Sequence, residues 1–169
     1  MRTLLLFLLT FSATALFSQT DKSTIKEKAQ VTANAMLESD WETLIDSTYP
    51  KLVQLMGGRE AMLTILTNGQ VEIESQGFKF SKVSIGEPQE IYRTGSDLFC
   101  LVPETIYIEV PNGKLVTESH LLAVSENNGA KWYFIDTNRL TNENVSELLP
   151  NFNSDLKIPA KKEPQFIPN

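Results

Sequence analysis

Hydrophobic positions along the chain change period once. Up to about residue 76 they recur at helical spacing, and after Gly77 they alternate. In the first run Ile25, Ala29, Thr32, Met36 and Leu37 share one face, while Lys26, Glu27 and Lys28 point elsewhere. Ser39-Asp40 breaks that pattern, and Asp40 is a good N-cap for a second helix with Trp41, Leu44, Ile45, Thr48 and Tyr49 on its stripe. Pro50 either opens a new helix at its first turn or kinks this one. Leu52, Val53, Leu55 and Met56 then lead to the stop signal Gly57-Gly58. A further helix is expected over 59–76, with Met62, Ile65, Leu66, Gly69 and Ile73 in phase. Asn68-Gly69 weakens it by ~1 kcal/mol, and two short helices are the alternative. The stripe keeps phase across the glycine, which favours one helix.

Strands are expected over 78–85, 89–94, 97–110, 114–126 and 130–137. Gly95-Ser96, Asn112-Gly113 and Asn127-Asn128-Gly129 are hairpin signals, because their residues accept positive φ. Pro103 inside the longest strand implies a bulge or bend, so the sheet should be curved. A short helix over 142–149 ends at Pro150, and the proline-rich tail IPAKKEPQFIPN should lie extended. The fold class is therefore α+β, with helices first and a curved antiparallel meander after them.

The first segment changes the picture of where this domain works. Arg2 precedes an apolar run from Leu4 to Phe17, followed by small and polar residues. This is the layout of a secretory signal peptide, and the run is too short for a membrane span. Cleavage fits after Ala15 or Ser18; Ser18 is favoured, leaving Gln19 first. The expected organisation is a signal peptide over 1–18, one domain over 19–150 and an extended tail over 151–169. The protein should be exported, to the periplasm or beyond.

Composition excludes several functions. The chain is 41% apolar and 21% charged, ordinary globular usage. Without the leader, 14 basic side chains face 21 acidic ones, a net charge of about −7. An acidic domain with no basic run is a poor partner for nucleic acid or anionic lipid. One histidine and one cysteine do not make a usual zinc site, no phosphate-binding glycine loop is present, and no cofactor is expected. Cys100 alternates with Leu98 and Val102, which suits a buried small hydrophobe rather than a reactive thiol.

Helices followed by a long curved meander resemble the nuclear transport factor 2-like, or SnoaL-like, superfamily. ESDWETLIDSTYP is similar to its first-to-second helix junction, and NNGAKWYFIDT to its final strand. The resemblance spans roughly residues 21–137. It implies a cone-shaped fold with N-terminal helices packed in the concave face of the sheet, and a pocket inside. Relatives include isomerases, dehydratases, cyclases, epoxide hydrolases and non-catalytic binding proteins, so the fold does not choose a function.

Hairpin register assigns faces. With Asn112-Gly113 as a two-residue loop, Tyr107 pairs with Glu118 and Thr105 with His120, so those residues share a face with Glu109. Ile106, Ile108, Val110, Leu115, Thr117, Ser119 and Leu121 take the other. If Glu126 faces Lys131, then Leu121 faces Asp136 and Ala123 faces Phe134, which puts Trp132, Phe134 and Asp136 on the Ile106 side. That side carries the larger apolar set and is the better concave face. His120, the lone histidine, falls on the outer face beside Glu118 and Tyr107.

The expected function is binding of a small apolar ligand in a concave pocket lined by Trp41, Leu44, Tyr49, Ile106, Leu121, Trp132 and Phe134. Thr117 and Ser119 would supply polar contacts. An isomerase- or cyclase-type enzyme is the alternative, with Asp46 or Asp136 as a general base raised by desolvation. Asp136 fits a turn cap or a partner for Arg139 better than a base, and Asp46 also fits a solvated helix surface. A third reading is a homodimer through the outer sheet face, carrying Tyr107, Glu118, His120 and Tyr133.

Overall fold

The computed structural model describes the backbone of residues 11–169, and side chains from residue 21 onward, Arg139 excepted. The first ten residues of the expected leader lie outside the described residues. Among the described residues no helix is long and apolar enough to cross a membrane.

Among the described residues four helices come first: α1 (Phe11–Glu38), α2 (Trp41–Ser47), α3 (Pro50–Leu55) and α4 (Arg59–Ser75). Asp40 caps α2, its carboxylate accepting from the Thr43 N–H at 3.1 Å. Pro50 opens α3 rather than kinking α2, because a first-turn N–H has no helical partner to lose. α4 runs unbroken through Gly69.

Six strands then form a curved antiparallel sheet: β1 (Lys79–Ile85), β2 (Ile91–Thr94), β3 (Asp97–Val110), β4 (Gly113–Ser125), β5 (Tyr133–Asp136) and β6 (Gln165–Pro168). A 3-10 turn (Thr137–Arg139) and α5 (Val145–Leu148) lie between β5 and the tail. The architecture is α+β, with the N-terminal helices against the concave face of the meander. β3 and β4 are the long central pair. β1 and β2 share one edge of β3, and β5 and β6 share the far edge of β4.

The β3–β4 turn differs from expectation. Val110 pairs with Gly113, so the loop is Pro111-Asn112, and Thr105 pairs with Glu118 rather than His120. Tyr107 correspondingly faces Val116. The register moves by two residues, one full period of the pleat, so every side chain keeps its expected face. Gly113 serves as a strand residue because β6 passes against it. A Cβ there would collide with the Ile167 carbonyl oxygen and lie 2.9 Å from the Phe166 ring. The next hairpin keeps the expected register, Leu121 opposite Asp136 and Ala123 opposite Phe134.

The sheet has a core on each face. On the concave side Leu98, Cys100, Val102, Leu121, Ala123, Trp132 and Phe134 pack with Ile25 and Ala29 of α1. On the opposite side Phe99, Leu101, Leu122, Val124 and Ile135 pack with Val145, Leu148, Leu149, Leu156 and Ile158. The tail is therefore more than an extended appendage. It roofs part of the face expected to lie outermost and ends as β6 on β4. Thr48-Tyr49 lies along the outer edge of β5, with the Tyr49 N–H donating to the Phe134 carbonyl at 3.2 Å. This covers an edge that would otherwise invite pairing with another chain.

Gly113→Ala is expected to unseat β6 while leaving both cores intact. Limited trypsinolysis should then cut after Lys161 or Lys162 several-fold faster than in the parent, with little change in the main unfolding transition. Unchanged cleavage would show that β6 tolerates the methyl group in place.

Candidate functional site

β4 is held along its far edge at both ends but not in the middle. β6 pairs with Gly113–Val116, and β5 with Leu121–Val124. Over Thr117–His120 no described strand pairs with that edge. A cavity of about 310 Å³ lies at this waist. Its floor is three rungs of the central pair, Pro103–His120, Glu104–Ser119 and Thr105–Glu118. Thr137 and Asn138, just past β5, form one wall, and the tail from Pro159 to Lys162 straps across it.

Local chemistry explains each element. Pro103 donates no N–H, and it sits between the stretches of β3 that pair with β1 and β2, so no ladder bond is lost; the β3–β4 register runs through it without the expected bulge. Asp136 caps the 3-10 turn, its carboxylate accepting from the Asn138 N–H at 2.9 Å. The Thr137 hydroxyl donates to the His120 carbonyl at 2.9 Å and ties that turn to β4. Lys162 donates to Glu118 at 2.6 Å, which pins the strap to the sheet. That pair is exposed and contributes little to stability.

Two proton carriers belong to this waist. Glu104 is 7% exposed and accepts from the Ser119 hydroxyl at 2.6 Å. Burial pushes its carboxyl up to about 7; the Ser119 bond pulls it back in part, and the charge of Asp136 raises it further. His120 is held below the usual imidazole range, first by burial and then by the positive charge of Lys162. Near neutral pH the imidazole is therefore neutral. A carboxyl balanced near neutrality can donate or accept a proton, the property required of a general acid or base.

The residues expected to line a pocket are dispersed. Ser119 lines the cavity. Thr117 is half-buried two positions along the same face, opposite Ile106. Leu121, Trp132 and Phe134 are buried in the core against α1, and the Trp132 indole N–H has no partner among the described residues. Tyr49 belongs to the opposite core, reaching it around the edge of β5; its hydroxyl donates to Glu126 at 2.7 Å. Its phenol is raised, first by burial and then by Glu126. Trp41 is half-buried at the start of α2.

The aspartates proposed as bases are both exposed. Asp46 accepts from Arg59 at 2.5 Å, and Glu42 pairs with the same guanidinium, so it fastens α2 to α4. Asp136 acts as the turn cap described above. Neither has the burial that the base reading requires. Glu104 does, and register arithmetic could have found it. It shares parity with Ile106 and Ile108, so the face that received Ser119 also received this carboxylate.

His120 lies on the face opposite the helices, as expected, yet it lines the cavity instead of open solvent. Tyr133, assigned to the same surface, packs against the tail-covered core. Cys100 is buried, and burial pushes its thiol up to about 11. Among the described residues no three histidine, cysteine or acidic side chains converge as a metal site.

No family model matches this chain, and neither the curated proteins nor the solved structures contain a match to it.

Proposed function

We propose that this is an exported binding protein that holds a small polar ligand at the waist of β4. The carrying observation is the 310 Å³ cavity, a volume within the range of small-molecule sites. Its lining brings together different kinds of polar group: the hydroxyls of Thr105, Ser119 and Thr137, the Asn138 amide, the His120 imidazole and the Lys161 ammonium. Pro103, Pro159 and Ala160 supply a modest apolar surround. Of the apolar residues expected to hold a ligand, Leu121, Trp132 and Phe134 fill the core against α1 and Tyr49 the opposite one, which favours a polar ligand over an apolar one. The leader supports export, and the resemblance to the nuclear transport factor 2-like superfamily supports a pocket-bearing domain.

Native mass spectrometry of protein purified from its own source should show a co-bound small molecule. Ala160→Trp, placed on the exposed strap to fill the cavity, should release it without unfolding the domain. Protein that carries nothing, and that binds no fragment whose occupancy Ala160→Trp removes, would overturn the reading.

A further inference from the structure

The two long strands each have a stretch without a strand partner, and the two stretches are treated differently. On β3 the gap between β1 and β2 is stitched by backbone. The Gly86 N–H donates to the Pro103 carbonyl at 2.7 Å, and the Gln89 N–H to the Leu101 carbonyl at 2.9 Å. On β4 the gap between β6 and β5 receives, among the described residues, one Thr137 hydroxyl bond at the His120 carbonyl.

In an antiparallel strand, alternate residues turn both their N–H and C=O to the same edge. Asn112 faces the far edge, since its carbonyl accepts from the Asn169 N–H at 3.3 Å. His120 faces it too, through the Thr137 bond. Glu118 lies between them at the same parity, so its N–H and C=O and the His120 N–H point along the open edge. Backbone groups withdrawn from bulk water require partners, and an unpaired strand edge is a template for another chain. The strap crossing this gap is not shaped to fill it. It forms no strand, and Pro159 at its start and Pro164 two residues past its end lack N–H donors.

We infer that the cavity at the β4 waist takes a short extended peptide, which adds antiparallel to Glu118–His120 as a strand segment between β5 and β6. This rests on the reading of that cavity as the ligand site, and names the ligand's class. The gap is four residues long, about 13 Å at the usual strand rise. β5 and β6 already run antiparallel to β4 on either side, so an incoming segment of three or four residues would complete one continuous edge. Main-chain bonds to the edge would supply affinity, and side chains such as His120 and Thr105 on one face and Ser119 on the other would select among sequences.

The test uses the full mature chain and two probes: the capped tetrapeptide acetyl-Thr-Val-Thr-Val-amide and its fully N-methylated counterpart. In the free protein the Glu118 amide should exchange with solvent far faster than that of Leu122, which β5 covers. The first peptide should shift the Glu118 and His120 amide resonances saturably at millimolar concentration. It should slow Glu118 exchange on the order of tenfold. The N-methylated peptide, which has no N–H to offer, should do neither. A Glu118 amide already as slow as Leu122, equal shifts with both peptides, or no shift with either would each overturn the inference. If neither peptide binds but a non-peptide molecule is found co-bound in the cavity, the cavity reading stands and the peptide inference falls. If nothing binds, both fall.

Discussion

Wild-type protein is expected to lose about 3 kcal/mol of stability relative to Glu104→Gln between pH 4.5 and pH 8. Glu104 is pushed up to about 7 by burial, whereas in the unfolded chain it titrates near 4.5. Below pH 4.5 the group is protonated in both states and makes no difference. Between 4.5 and 7 the unfolded chain releases the proton while the folded one retains it, so stability falls as pH rises. Above 7 the fold carries a buried carboxylate and the loss is complete. Glutamine keeps an acceptor for the Ser119 hydroxyl and removes the titration. His120 acts with the opposite sign, since its depressed value weakens the fold as pH falls through the imidazole range, but it is common to both proteins and cancels in the difference. Urea unfolding at half-unit pH steps measures the effect. Parallel profiles would mean that Glu104 has an ordinary carboxylate affinity, and that the waist is wetter than its burial implies.

Phe99→Ala is expected to cost ~3–5 kcal/mol, much of the stability of a domain this size. Phe99 is 1% exposed and packs edge-on against Phe152 with ring centroids 5.4 Å apart. Truncation leaves a cavity between the sheet and the segment covering it, and that segment has no other sheet face to bury its leucines against. The loss should therefore come with faster proteolysis within residues 140–158. Leu55→Ala, at an exposed position, provides the comparison and should stay within about 0.5 kcal/mol. A Phe99→Ala penalty below 1 kcal/mol would mean that the tail-side core is not part of the cooperative unit.

Much of the fold was legible because its signals are periodic. The α2 cap at Asp40, the helix start at Pro50 and the unbroken α4 all follow from local residue chemistry. Face assignment survived an error in the β3–β4 turn because a two-residue slip returns each side chain to its own side. The tail was harder to read. Val145, Leu148 and Leu149 keep the spacing of one helical turn, but Leu156 and Ile158 lie in an irregular stretch with no period, so no pattern announced that the segment covers a sheet. The cavity was not legible for a related reason. It exists where β5 stops and β6 begins on one edge of β4, and such an interruption depends on strand lengths, which local pattern sets only loosely. Glu104 was available from parity, but its position beside Pro103 in a long mixed strand gave it no motif to mark it out.

Adjacent residues of β3 and β4 answer to different neighbourhoods. Phe99 packs with the tail and Cys100 with the helix side, although one peptide bond joins them. The sheet thus acts as a partition. Side-chain substitutions at neighbouring numbers but opposite faces should combine additively in free energy, while substitutions far apart in number but on one face, such as Phe99 and Leu156, should couple. For this protein, distance along the chain is a poor guide to epistasis, and odd or even position on the central strands is the better one.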